Sequence, residues 1–215
     1  MELTAVRRDG TPLPVEVLVS PLSIDGKTIF SAFLHDITER KQVEAIREHE
    51  ATHDPLTGLL NRRGMFDLLS QAIARVKRTR ASLALLFIDL DGFKQINDTH
   101  GHEAGDAVLR EVAARLQASI RQTDTAARLG GDEFTVILEN IKHGISDANM
   151  LAQKILETLQ HPIQLDSVTA TISASIGISM HHPYDERSAD QLVNAADSAM
   201  YTAKHAGKNQ VCVHK

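Results

Sequence analysis

The sequence predicts an α/β protein of the α+β kind, a mixed central sheet flanked by helices, with an antiparallel β meander ahead of it. Three observations predict it. Residues 83–88 form a continuous apolar run of the kind found at the centre of a covered sheet. Val108, Leu109, Val112, Ala113, Leu116 and Ile120 make one helical stripe, and Leu151, Ile155, Leu156 and Leu159 make another. Residues 168–180 are rich in β-branched side chains, and strands mixed with amphipathic helices pack as a layered sandwich.

Along the chain, residues 1–37 read as the meander. Asp9-Gly10 and Asp25-Gly26 mark its turns, and Leu13, Val15, Val17 and Val19 alternate along a half-buried strand. Residues 38–52 are charged and free of Gly and Pro, which suits a helix with Thr38 as N-cap. Val43 and Ile46, three apart, either line a seam with a partner chain or sit on a solvated linker. The central strand of residues 83–88 follows and runs into Asp89-Leu90-Asp91-Gly92. Next come the first helical stripe and a strand, a Gly130-Gly131 turn, and a second strand from Phe134 to Leu138. The second stripe, the β-rich segment, a helix over 188–205 and a short strand over 210–213 close the chain.

Two acidic clusters carry the chemistry. Asp89 and Asp91 share a face if the strand persists that far, and Asp132-Glu133 stands at the turn between the other two strands. If the strands are neighbours, Asp89 meets Asp132 and Glu133. Three carboxylates at one sheet end repel unless a cation neutralises them, and hard oxygen ligands favour Mg²⁺ or Mn²⁺. Either cluster alone is better read as an acid ending a strand in a solvated turn; the two together shift the reading to a cation site.

Composition narrows the partners. A net charge of −5 over 215 residues leaves no basic footprint for a long nucleic acid, while a nucleotide remains compatible. The single cysteine, Cys212, allows no intramolecular disulfide and suits a reducing, cytoplasmic compartment. The chain has no membrane segment, because its apolar runs fall short of a bilayer span. Membrane attachment of a full-length protein upstream of residue 1 stays open. Asp89-Leu90-Asp91-Gly92 opens like an EF-hand, but Lys94 and His100 stand where that loop needs Gly and Glu. Gly26-Lys27-Thr28 has Pro21 where a P-loop needs its first glycine, and His102-Glu103 lacks a second zinc histidine.

From His53 to about Asn209 the chain resembles the GGDEF family of diguanylate cyclases. The likeness rests on Asp54-Pro55-Leu56-Thr57-Gly58-Leu59 with Asn61-Arg62, and on Phe87-Ile88-Asp89-Leu90-Asp91-Gly92-Phe93-Lys94 with Asn97-Asp98. Gly101-His102 with Gly105-Asp106, Arg128 to Phe134, and Asp197 through Tyr201 to Lys204, Gly207, Lys208 and Asn209 complete it in order. The resemblance implies the fold of nucleotidyl cyclases and the polymerase palm, related to the ferredoxin-like plan. It implies two GTP condensing to cyclic di-GMP with release of pyrophosphate, across a homodimer of half-sites.

By matching position, Asp89, the Leu90 carbonyl, Asp132 and Glu133 would hold the metal, and Asp132 or Glu133 would take the proton of the attacking hydroxyl. Asn97 and Asp106 would select guanine, an ionised Asp accepting from its N1–H and N2–H₂ donors. Asp98 and Asp106 also read as helix caps. Lys204 and Lys208, four apart and so on one helix face, with Phe93 and Lys94 amides, would hold the phosphates. Lys208 stands where the family often has arginine and lacks its bidentate fork. Arg121 and Asp124 match the family's RxxD inhibitory site, which makes cyclic di-GMP an allosteric ligand as well as the product. Residues 1–37 resemble the last strands of a PAS sensor domain, leaving by Asp36-Ile37-Thr38-Glu39-Arg40; 38–52 would be its signalling linker helix and 53–215 the catalytic domain. A receptor that binds GTP or cyclic di-GMP without turnover is a second reading of the same resemblance.

Overall fold

The computed structural model describes residues 1–24, 27–165 and 169–214, so the Asp25-Gly26 turn and Val168 lie outside the described residues. The chain divides into two compact units, Met1–Glu50 and Ala51–Lys215.

In the first unit, β1 (Glu2–Val6), β2 (Pro12–Ile24) and β3 (Lys27–Asp36) form an antiparallel sheet in that order. Asp36 ends β3 and opens α1 (Thr38–Thr52): its Oδ1 accepts from the Thr38 amide at 2.9 Å and the Thr38 hydroxyl at 2.5 Å. Asp36 rather than Thr38 therefore supplies the accepting oxygen, because a carboxylate two residues ahead of the first free N–H reaches it as an Asx turn. Arg40 and Lys41 pair with Glu2 at 2.6 and 2.7 Å. Val43 and Ile46 are exposed on α1.

The second unit is a five-stranded sheet, ordered β10-β9-β4-β6-β5. Its elements are α2 (Arg62–Thr79), β4 (Ser82–Asp91), α3 (Phe93–His100), α4 (His102–Ser119), β5 (Thr125–Gly130) and β6 (Glu133–Ile141). They continue with α5 (Ile145–Leu159), the short β7 (Ile163–Gln164) and β8 (Thr169–Ala170) pair, β9 (Ser173–His181), α6 (Ala189–His205) and β10 (Gln210–Val213). β4 is antiparallel to β6 and β9, and β10 is parallel to β9, so the sheet is mixed.

Helices on both faces explain the continuous apolar run. Ala84, Leu86, Ile88 and Leu90 enter a core with Val108, Val112 and Leu116 of α4 and Ile155 and Leu159 of α5. Leu83, Leu85 and Phe87 enter another with Met65, Leu69 and Ile73 of α2 and Leu192, Ala196 and Met200 of α6. Alternate side chains of one strand thus feed opposite cores, each full burial being worth ~1.5–3 kcal/mol. Ser188 caps α6 with a complete capping box, exchanging bonds with Gln191.

Sequence patterning had not marked α2 or α3. Asp98 lies inside α3 and Asp106 inside α4, so neither is a cap. Lys208 lies beyond α6, in a left-handed turn (φ 63°), rather than on a shared helix face with Lys204.

His181, at the end of β9, is buried; its Nε2–H donates to the Arg187 carbonyl at 3.3 Å, and Nδ1 meets no partner among the described residues. Burial holds this imidazole below its ordinary pKa, with Asp185 pulling the other way. Below about pH 6.5 the unfolded chain takes up a proton that the folded chain resists, so stability falls as the pH drops through that value. The urea midpoint is expected to be lower at pH 5.5 than at pH 7.5, with a smaller difference in His181→Gln. Asp185, held at about 2 by Arg187, loses its own contribution only in far more acid solution.

Candidate active site

The site forms where the end of β4 lies beside the start of β6. The antiparallel register sets Asp89 directly opposite Glu133, and the Leu90 amide donates to the Asp132 carbonyl at 3.2 Å. The turn between β5 and β6 needs its glycines: Gly130 has φ 140° and Gly131 φ 54°, regions that side chains disfavour. Arg128 braces it from β5. Its Nε and Nη2 donate to the Gly131 carbonyl at 3.1 and 2.8 Å, and its Nη1 to both Asp54 oxygens at 3.1 and 3.2 Å. Asp54 also accepts from the Thr57 amide and hydroxyl. These hydrogen bonds outweigh its partial burial and hold its carboxyl below the usual range. Arg62 adds a looser 3.5 Å pair to Glu133.

Asp89 is the one acidic residue among the described residues that is buried, at 6% exposure. Burial pushes its carboxyl pKa up; the Lys204 hydrogen bond opposes this, and the charges of Asp132 and Asp91 add to it. Lys204 Nζ stands 2.6 Å from Asp89 Oδ2. The donors fit a hard divalent cation: a desolvated carboxylate, the backbone carbonyl beside it and two signature carboxylates at the same sheet end. Among the described residues no three such side chains already converge on one point. The Lys204 ammonium is the counter-charge that Asp89 has here.

A cavity of about 810 Å³ opens over this end. Asp89, Leu90, Asp132, Phe93, Lys94, Lys204 and Lys208 are among its lining residues, which brings most of the groups predicted for metal and phosphate together, while Glu133 is not in the lining and stands opposite Asp89 across the strands. The Phe93 ring belongs to the core, which leaves its backbone as the part able to meet a ligand. Asn97 and Asp106 are not in the lining. They sit on the neighbouring α3 and α4, where Asn97 packs over Gly105 so tightly that a Cβ there would lie 1.9 Å from Asn97 Oδ1.

Arg121 and Asp124 occupy the turn between α4 and β5, at the other end of β5 from the glycines. The Asp124 amide donates to the Arg121 carbonyl at 3.0 Å, and the Arg121 amide to Asp124 Oδ2 at 3.1 Å. Both line a separate cavity of about 380 Å³ with Asp147, Met150 and Lys154. The predicted groups are therefore at two places. The bracing by Arg128 and Asp54 went unread, although both residues stood in the motifs; their roles depend on a contact across 74 positions of sequence.

Comparison with known proteins gives a consistent picture. Residues 51–210 match the family model described as diguanylate cyclase, GGDEF domain. Diguanylate cyclase TpbB of Pseudomonas aeruginosa is 44% identical over 206 residues, covering 94% of this chain and 47% of that protein. An uncharacterized signaling protein of Caulobacter vibrioides is 42% identical over 204 residues, 93% of this chain and 25% of that protein. The chain thus spans about a quarter to about half the length of these relatives. Among solved structures, the coiled coil and GGDEF domain of DgcB from Caulobacter crescentus, in complex with c-di-GMP, superposes with a TM-score of 0.74 at 30% identity, covering 81% of this chain and 91% of that one.

Proposed function

This chain belongs to the GGDEF family of diguanylate cyclases, and from that membership we propose that residues 53–215 condense two GTP molecules into cyclic di-GMP, releasing pyrophosphate from each. The observation that carries the reading is the strand register placing buried Asp89 opposite Glu133, beside a cavity that also holds Lys204 and Lys208.

Each 3′-hydroxyl attacks the other nucleotide's α-phosphate, and Asp132 or Glu133 receives the hydroxyl proton. Asp89, the Leu90 carbonyl, Asp132 and Glu133 would hold Mg²⁺ or Mn²⁺. Such a cation would supply charge neutralisation at the reacting phosphate and a more acidic hydroxyl. Lys204 and Lys208 hold the triphosphate with the Phe93 and Lys94 amides. Asp106 accepts from the guanine N1–H and N2–H₂ donors and Asn97 donates to O6 or N7, a pattern that adenine reverses.

One GTP per protomer requires two half-sites to face, so the working unit is a two-fold homodimer. Product binding at Arg121 and Asp124 makes cyclic di-GMP a feedback inhibitor; Lys154, in the same cavity, adds a cation for its phosphates. Residues 1–37 act as the end of a PAS-like sensor and 38–52 as its linker helix. A GTP substrate and the single cysteine support a cytoplasmic reading, and no helix among the described residues is long and apolar enough to cross a membrane.

Purified chain stripped of nucleotide, incubated with GTP and Mg²⁺ over a range of protein concentrations, is expected to yield cyclic di-GMP by mass spectrometry. The yield should rise more steeply than protein concentration. GTP bound without product at any concentration would favour the receptor reading.

A further inference from the structure

Asp91 stands two residues after Asp89 on β4, so by strand geometry both belong to the same side. Its carboxylate is nonetheless engaged with other elements. Oδ1 accepts from the Ser175 hydroxyl at 2.9 Å, and Oδ2 from the Asn209 amide at 3.0 Å and the Ser173 hydroxyl at 3.3 Å. An ionised carboxylate only accepts, and here it has a donor from each of two β9 serines and one from the segment joining α6 to β10.

That segment has an unusual backbone. Gly207, Lys208 and Asn209 have φ values of 122°, 63° and 45°, all positive. Glycine adopts such angles freely and asparagine with tolerance, but lysine does not, so the turn has to be held from outside. The Lys208 amide donates to the Ala203 carbonyl at 3.1 Å, and Gln160 Nε2 to Asn209 Oδ1 at 2.7 Å. The Asn209 amide, next in line, has Asp91. The turn is thereby fixed to β4, the strand that carries Asp89, and Lys208 opens into the same cavity as Asp89, Asp132 and Lys204.

We propose that Asp91 is a positioning residue: by accepting the Asn209 amide it locks the left-handed Gly207–Asn209 turn and fixes Lys208 at the phosphate-binding side of the cavity. Ser173 and Ser175 orient the carboxylate for this task, and it acts through Lys208 rather than as a metal ligand. The role toward phosphate rests on reading the cavity as the GTP site.

The test uses the full chain, with Asp91→Ala, Asp91→Asn, Lys208→Ala and the Asp91→Ala/Lys208→Ala double variant. Amide hydrogen exchange without nucleotide is expected to show Asn209 protected in the wild type, at least about tenfold faster in Asp91→Ala, and intermediate in Asp91→Asn, which keeps one acceptor. Affinity for an α,β-methylene GTP analogue should fall about tenfold in Asp91→Ala and in Lys208→Ala, with no further fall in the double variant. Mn²⁺ binding, followed by electron paramagnetic resonance, should survive Asp91→Asn and be lost in Asp89→Asn. Unchanged Asn209 exchange, multiplying effects in the double variant, or Mn²⁺ binding lost with Asp91→Asn would overturn the positioning role. A wild-type chain that takes up no analogue would overturn the GTP reading instead, while the exchange data still judge the hold of Asp91 on the turn.

Discussion

Asp89→Asn is expected to abolish cyclic di-GMP formation, by ~10³-fold or more, about 4 kcal/mol of barrier, while the urea midpoint stays at or above that of the wild type. The two effects have one cause. The fold holds the Asp89 carboxylate in a place that penalises its charge, with burial the largest contribution. A carboxyl whose folded pKa is raised binds more protons folded than unfolded, so stability falls as the pH rises through the interval above about 3.9. At neutral pH the ionised group is therefore a liability, relieved in part by Lys204 at 2.6 Å. Asparagine keeps the shape and removes the charge, and with it the carboxylate that the proposed metal would need. A chemical-denaturation curve beside a product assay checks both halves; a variant that loses stability and keeps turnover would refute the assignment.

Gly177→Ala is expected to be the most damaging single-methyl addition in the second unit, costing ~3 kcal/mol or more, the upper end for over-packing. A Cβ at Gly177 on β9 would lie 2.0 Å from the Ala196 carbonyl oxygen and 2.2 Å from the Met200 amide nitrogen, both backbone atoms of α6. The helix has to lift off the sheet, and it carries Lys204 away from Asp89 as it does. Gly105→Ala is the contrasting case, because the atom met at 1.9 Å is the end of the Asn97 side chain. That variant is expected to remain within ~1 kcal/mol of the wild type, helped by alanine's helix preference, and to lose guanine affinity through the displaced amide. Urea unfolding of both variants, with GTP-analogue titration of the second, separates the outcomes.

Much of this was legible because it was local. The run at residues 83–88 is apolar at every position since its two faces feed two cores, and the Gly-Gly turn with flanking β-branched residues could form little but a hairpin. Helix α2 went unmarked although its signal was local too, since Met65, Leu69, Ala72, Ile73 and Val76 recur at helical spacing. The missed features are those that need two distant segments. Lys208 was placed by helical periodicity, which ends at His205 where Ala206 to Asn209 turn away. The engagement of Asp91 was not readable because the serines and the amide that occupy it come from residues 173–209. The cap readings of Asp98 and Asp106 failed because the glycines at 92 and 101 open α3 and α4 without side-chain bonds.

Asn61 caps α2, its Oδ1 accepting the Gly64 amide at 3.0 Å, and it has a further consequence. Its amide donates to the Thr52 carbonyl at 2.9 Å, and its side-chain nitrogen to the carbonyls of Ala51 and His53 at 3.1 and 3.2 Å. All three acceptors are main chain, the part every residue type shares. Substituting residues 51–53 therefore leaves these three acceptors in place. Residues 51–53, the first of the second unit, are held in this way to the start of α2, so Asn61 sets the path by which the chain enters that fold through contacts that survive a change of side chain at those positions.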